Sequence, residues 1–175
     1  PLYAEATWTG HWQPAQVLKL NQKPVRRGLL DLRGLIHAHS PFSHDACDGE
    51  PFDKDGKINR PCWEDFRRDF CTVGHDFVFL TDHPTHFADN EFPAVLLYDE
   101  GMGDELVVRD GAAASNRVSC SGRKSLIIAG TESSAAMPVG LPGHISTTIE
   151  ERKKLYGTRD KPTFAALKAH GAVIL

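Results

Sequence analysis

Two histidines one residue apart, His37-Ala38-His39, close an apolar run from Leu29 to Ile36. On extended backbone the side chains repeat every two residues, so the two imidazoles point the same way. A strand ending in two parallel imidazoles is half of a site for a divalent cation, because neutral imidazole is a common metal ligand. Two further apolar runs end in residues of the same kind. Phe77-Val78-Phe79-Leu80 leads into Thr81-Asp82-His83, and Leu126-Ile127-Ile128-Ala129 leads into Gly130-Thr131-Glu132. Singly, each is ordinary: a lone His is more often a hydrogen-bonded core residue, and a lone Glu after a strand is usually a helix cap. Their coincidence at three strand ends points to chemistry. Mixed histidine and carboxylate donors suit zinc, manganese or iron, and a glutamate among histidines can bridge two ions about 3.5–4 Å apart.

The elements that must position these residues are legible as an alternation. A strand is predicted over residues 29–37, followed by a long polar insertion, 40–60, that contains Pro41, Gly49, Pro51 and Gly56. A helix starts near Pro61, where proline is tolerated in the first turn, and ends at Gly74. Trp63, Phe66 and Phe70 form its buried stripe. The continuous run 77–80 reads as a strand buried on both faces. Residues 84–105 read as loop, 106–108 as a short strand, 112–122 as a polar loop and 126–129 as another buried strand. His144-Ile145 opens a further short strand. Asp160 precedes a helix over 162–170 that Gly171 closes, and 172–175 begins a last strand. Residues 1–28 read as irregular, with Trp8, Trp12 and Pro14 as anchors onto the body. This order implies an α/β fold with a parallel sheet or barrel. In such folds, sites sit at the carboxyl ends of strands.

The segment Asp31-Leu32-Arg33-Gly34-Leu35-Ile36-His37-Ala38-His39-Ser40, followed by Ser43-His44-Asp45, resembles the first motif of the PHP (polymerase and histidinol phosphatase) superfamily. Gly74-His75-Asp76-Phe77-Val78-Phe79-Leu80-Thr81-Asp82-His83 is similar to its second motif, and Ile128-Ala129-Gly130-Thr131-Glu132 to its third. His144, twelve residues beyond Glu132, stands where many members have a further ligand. The resemblance covers residues 29–175. It implies a distorted (β/α)7 TIM-like barrel and metal-dependent hydrolysis of a phosphoester, with two or three divalent ions (zinc, manganese or iron). Carried over by position, His37 and His39 bind one ion with Glu132, which bridges to a second ion held by His144, while Asp45 and His83 hold a third. His44 is the alternative to Asp45. Asp82 is expected to orient a ligand or a metal-bound water. The family barrel needs well over 200 residues and supplies a later His-Pro and an Asp-x-His, so the chain is expected to stop after about five strands of it. The long 40–60 insertion is the second departure from the pattern.

With 175 residues and 41% of them hydrophobic, one domain with a real core is the default. A net charge of −3 gives no bulk signal for nucleic acid. No apolar stretch reaches the roughly 18–20 residues needed to span a bilayer. The chain begins at Pro1 with no visible signal peptide, as after processing or trimming. Export to a periplasm-like compartment and residence in the cytoplasm are both open, and the sequence does not set the oligomeric state. Cys47, Cys62, Cys71 and Cys120 make no C-x-x-C pair, so a zinc knuckle is not expected. A Cys47–Cys62 disulfide closing the insertion and four free thiols are both compatible with the sequence, but Cys62 and Cys71, more than two turns apart on one helix, should not pair together.

Other features have plainer readings. Asp53-Lys54-Asp55-Gly56-Lys57-Ile58 echoes an EF-hand loop, but Pro51 and Cys62 fall where its key carboxylates belong, so a turn built on Asp-Gly is the better reading. His86 either lines the site or faces water. His11, His75 and His170 have no ligand context. Arg67-Arg68 and Arg152-Lys153-Lys154 read as solvated helix faces, and Cys71 has no evident base partner. No nucleophile elbow or Walker loop appears. The function expected is thus a metal-dependent phosphoesterase acting on a small molecule. Two rivals stand beside it: an inactive or structural metal-binding barrel serving as an accessory domain, and a hydrolase of a non-phosphate bond. Histidine ligands bind only when neutral, so activity is expected to fall at acidic pH.

Overall fold

Three of the apolar runs become neighbouring parallel strands in the computed structural model, which describes residues 25–26, 29–30, 32–133 and 136–175. Of the N-terminal segment expected to be irregular, residues 1–24 and 27–28, with the anchors Trp8, Trp12 and Pro14 and with His11, lie outside the described residues, whereas residues 25–26 form a short strand. Strands β1 (Val25–Arg26) and β2 (Leu29–Leu30) pair with each other antiparallel. The strand expected over 29–37 is therefore interrupted: its second part is β3 (Gly34–Ala38), in a different sheet. That sheet continues with β4 (Phe77–Asp82), β5 (Glu105–Arg109), β6 (Ala112–Cys120), β7 (Arg123–Thr131), β8 (Pro138–Val139) and β9 (Val173–Ile174). Its order is β3-β4-β7-β6-β5, with β8 joined to β7 and β9 to β8. β3, β4 and β7 run parallel, and the remaining pairings are antiparallel. The architecture is mixed α/β with an open seven-stranded sheet; the described residues do not close into a barrel.

Helix α1 (Arg60–Val73) forms as the sequence indicates. Asn59 caps it by accepting the Cys62 amide hydrogen, Pro61 sits in the first turn, and Gly74 ends it. Trp63 and Phe70 are buried against Val78, Leu80 and Ile127 of β4 and β7. Helices α2 (Pro84–Asp89), α3 (Ile149–Gly157) and α4 (Lys161–Ala169) enclose a second cluster that includes Phe87, Ala129, Leu141, Tyr156 and Leu167. Thr148 and Asp160 cap α3 and α4 by accepting the Glu151 and Thr163 amides.

Several expectations are corrected. Residues 84–105 hold α2 and two 3₁₀ turns, Ala94–Leu96 and Glu100–Met102, because the burial of Phe87, Ala88, Val95 and Leu96 outweighs weak local propensity. The polar loop expected over 112–122 is mostly the strand β6. Its Ala and Ser content hid it, but Asn116, Val118 and Cys120 alternate inward with Arg117 and Ser119 outward. Asp110 (φ 52°) and Gly111 (φ 80°) make the left-handed pair that a two-residue hairpin turn requires, so the Asp-Gly signal was available. His144-Ile145 is irregular, and the short strand nearby is β8. Arg67 and Arg152 are buried, not solvated. The run 77–80 is buried on alternate residues only: Val78 and Leu80 lie in the core, whereas Phe77 and Phe79 line a cavity of about 450 Å³ with Leu32, Leu126 and Ile128.

All four cysteines are paired, as Cys47–Cys62 and Cys71–Cys120. The first bond closes the insertion onto the start of α1; the second ties the end of α1 to β6. The EF-like segment is a turn, with the Asp53 carboxylate accepting the amides of Asp55 and Lys57.

Candidate metal centre

The carboxyl ends of β3, β4 and β7 lie side by side, and each delivers its polar residues to one place. Leu80 pairs with both Ala38 and Ala129, and Asp82 with Thr131, so His39, His83 and Glu132 emerge at neighbouring strand ends. Gly130 has a separate reason to be glycine: a Cβ there would stand 2.6 Å from the Pro138 carbonyl oxygen and 2.9 Å from Val139 Cα, blocking the strand that crosses it.

Glu132 is the hub. Its Oε2 lies 2.7 Å from His37 Nε2, and its Oε1 lies 3.2 Å from His39 Nε2 and 3.1 Å from His83 Nδ1. On the other side of His39, Nδ1 is 2.8 and 2.9 Å from the two Asp45 oxygens, and His83 Nε2 is 3.3 Å from Asp45 Oδ2. Asp45 reaches this position because two successive turns, Ser43 N–H to the Ser40 carbonyl and Ala46 N–H to the Ser43 carbonyl, fold the loop back. The donors fall into two overlapping groups, His37–His39–Glu132 and His39–Asp45–His83, each with ligand atoms within 4.8 Å of one another. The side chains are partly open to solvent, from 19% exposed at His39 and Glu132 to 48% at His37, so an ion has access.

The donor set fits a divalent cation. The Nε2 atoms of His37 and His39 face each other at 3.3 Å, so at least one presents a lone pair toward the shared space. Two carboxylates among three imidazoles supply the oxygen and nitrogen donors that a dication takes. Burial raises the proton affinity of Asp45, but the Ser43 hydroxyl at 2.5 Å and the His39 and His83 rings outweigh it and hold the carboxyl well below the usual carboxylate range. Asp45 is therefore present as a carboxylate, the form that binds metal.

Asp82 does not touch the open site. It is 2% exposed, and its two oxygens accept the Ser40 amide and the Ser40 hydroxyl, each at 2.6 Å. Its carbonyl accepts the Thr131 hydroxyl and the Glu132 amide. Burial pushes its carboxyl up, against those two bonds from Ser40. It positions the residues that follow His39 and precede Glu132.

His144 is not brought to either group. Its Nε2 lies 2.8 Å from the Asn90 carbonyl and its Nδ1 3.0 Å from the Tyr156 hydroxyl, inside a ring of Phe87, Phe92 and Tyr156. With Nε2–H donating and Nδ1 accepting, no lone pair remains for a metal. Burial pushes its imidazole down, which keeps the ring neutral. His44 and His86 are the residues that sequence reasoning left undecided. Their rings stack at 4.8 Å, and His44 is 4.8 Å from His83, so a row of imidazoles runs on from the cluster. Burial pushes His86 down as well. The proximity of His44 to Asp45 in the sequence hinted at this; nothing local placed His86. His75 and His170 join neither group. No family model, curated protein or solved structure matches the chain.

Proposed function

We propose that this chain is a metal-dependent hydrolase of phosphoesters, of the PHP type, whose sheet belongs to a distorted (β/α)7 barrel. One observation carries the reading: three histidines and two carboxylates converge in two overlapping groups at the carboxyl ends of three adjacent parallel strands. His37, His39 and Glu132 would hold one divalent ion, and Asp45 with His83 a second, His39 giving the one lone pair of its neutral ring to either ion, with zinc, manganese or iron suited to these donors. When bound, such ions supply Lewis acidity toward a phosphoryl oxygen and toward water. Glu132 offers separate oxygens to His37 and to the His39–His83 side, so one carboxylate spans both groups. Asp82 keeps the donors in register by holding Ser40 and the Glu132 amide. Water and a small substrate approach from the exposed side of His37 and Asp45. Both disulfides favour an oxidising compartment as the place of action.

The test is metal content beside activity. The chain loaded with zinc or manganese is expected to retain about two ions after dialysis and to hydrolyse p-nitrophenyl phosphate, with both lost to chelator. His37→Ala is expected to lose about one ion and Glu132→Ala both. Unchanged metal content in both variants would refute the site. Metal without hydrolysis of any phosphoester would favour a structural or non-phosphate role.

A further inference from the structure

Beside the candidate metal centre lies a cavity of about 310 Å³ lined by His83, Pro84, Glu132, Ser133, Gly157 and Arg159. One wall is the donor cluster. The other is the turn between α3 and α4, which contributes Gly157 and Arg159. The arginines elsewhere are largely spoken for: Arg60, Arg67, Arg68, Arg117 and Arg152 each pair with a carboxylate. Among the described residues Arg159 pairs with none. Its neighbour Asp160 is spent on capping α4, where it accepts the Thr163 amide at 2.8 Å. A guanidinium without a carboxylate partner, on a residue that lines a cavity beside the donor cluster, is a receptor for an oxyanion, because its planar fork offers two parallel N–H donors.

We propose that Arg159 is the substrate-anchoring residue of this site and that it selects a small phosphomonoester dianion; the proposal rests on reading the neighbouring cluster as a metal centre. The volume lies at the small end for ligand pockets, about 300–1,000 Å³, and suits a small ester. The choice of monoester follows from counting oxygens. A terminal phosphoryl group has three non-bridging oxygens, enough to meet a two-ion cluster and still leave one oxygen for the guanidinium N–H donors. A diester has two, and a two-ion cluster uses both. Arg159 therefore adds affinity for the monoester and little for the diester.

The experiment titrates inorganic phosphate into the chain with and without bound manganese, in wild type, Arg159→Gln and Arg159→Lys, and compares p-nitrophenyl phosphate with bis(p-nitrophenyl) phosphate. In Arg159→Gln we expect phosphate binding to weaken about tenfold or more. The KM for the monoester should rise by a similar factor, kcat/KM for the diester should change less than twofold, and metal content should not change. Arg159→Lys is expected to recover part of the loss, because it keeps the charge without the fork. Equal phosphate affinity in wild type and Arg159→Gln, or no phosphate binding by wild type, would overturn the proposal. A chain that takes up no metal yet binds phosphate through Arg159 would sink the metal centre and leave the anion site. A chain that takes up metal and is indifferent to Arg159 would do the reverse.

Discussion

Glu132 and His144 were expected to share an ion, and their surroundings separate them. Glu132 meets three imidazoles, whereas both nitrogens of His144 are already committed to Asn90 and Tyr156. His144→Ala is therefore expected to leave metal content unchanged while lowering stability by about 1–3 kcal/mol, the cost of stranding buried polar partners. Metal analysis and urea unfolding of the same sample separate the two effects. Residue type and spacing made His37, His39, Asp45, His83 and Glu132 legible, because four of them end or follow strands and the fifth sits in the loop directly behind one of them. They did not distinguish His144 from a ligand, because its aromatic surroundings come from Phe87, Phe92 and Tyr156, far from it in sequence. Arg159 was silent for the same reason: only the fold brings the α3–α4 turn to the cavity that Glu132 and His83 also line.

At the scale of elements, α1 is joined to the sheet by more than its apolar stripe. Arg67, at the centre of that stripe, donates to both oxygens of Asp104 at 2.5 and 2.6 Å, and Asn116 donates to the same carboxylate at 2.8 Å. Both partners of the ion pair are buried. Desolvation raises the proton affinity of Asp104, but its bonds from Arg67, Asn116 and the Asp99 amide prevail and lower its pKa below the ordinary 3.8. The folded state therefore binds this proton more weakly than the unfolded chain does. The stabilisation is complete above about pH 4 and is lost as the pH falls through the lower folded value. Asp104→Ala is expected to cost about 3–5 kcal/mol at neutral pH, since it leaves Arg67 buried without its partner. In urea unfolding, the gap between wild type and Asp104→Asn should narrow as the pH is taken from 7 to 2.5; a constant gap would exclude the linkage. The helix itself was readable from its cap, proline and aromatic spacing. The inward turn of Arg67 was not, because a guanidinium among exposed charges is indistinguishable in sequence from one that finds a buried carboxylate 37 residues away.

For the molecule as a whole, the alternation of elements conveyed the α/β class and the parallel core of the sheet. It did not convey the antiparallel flank, since β6 is built from Ala, Ser and Asn, whose strand preference is weak. The open sheet and the two disulfides divide the task of holding α1. Cys47–Cys62 spans 15 residues and Cys71–Cys120 spans 49, so chain entropy assigns them roughly 3 and 4 kcal/mol. Reduction of both is expected to lower the thermal midpoint by well over 10 °C, and reduction of Cys47–Cys62 alone should loosen the loop that carries Asp45. Calorimetry of Cys47→Ser/Cys62→Ser and Cys71→Ser/Cys120→Ser double variants, beside their metal content, measures each contribution. An unchanged midpoint in both would remove the disulfides from the account of stability.

Asp82 has a consequence for how an ion would arrive. Its carboxylate grips Ser40, its carbonyl grips the Glu132 amide, and its own chain continues into His83. The spacing of three donors is thus tied to a buried main-chain frame centred on Asp82. If the proposed ions bind here, such a frame would make them guests and not keystones of folding. Amide hydrogens at the ends of β3, β4 and β7 should then exchange with solvent at nearly the same slow rates in chelated and metal-loaded protein, and ion uptake should proceed in one fast step with no slower ordering phase behind it.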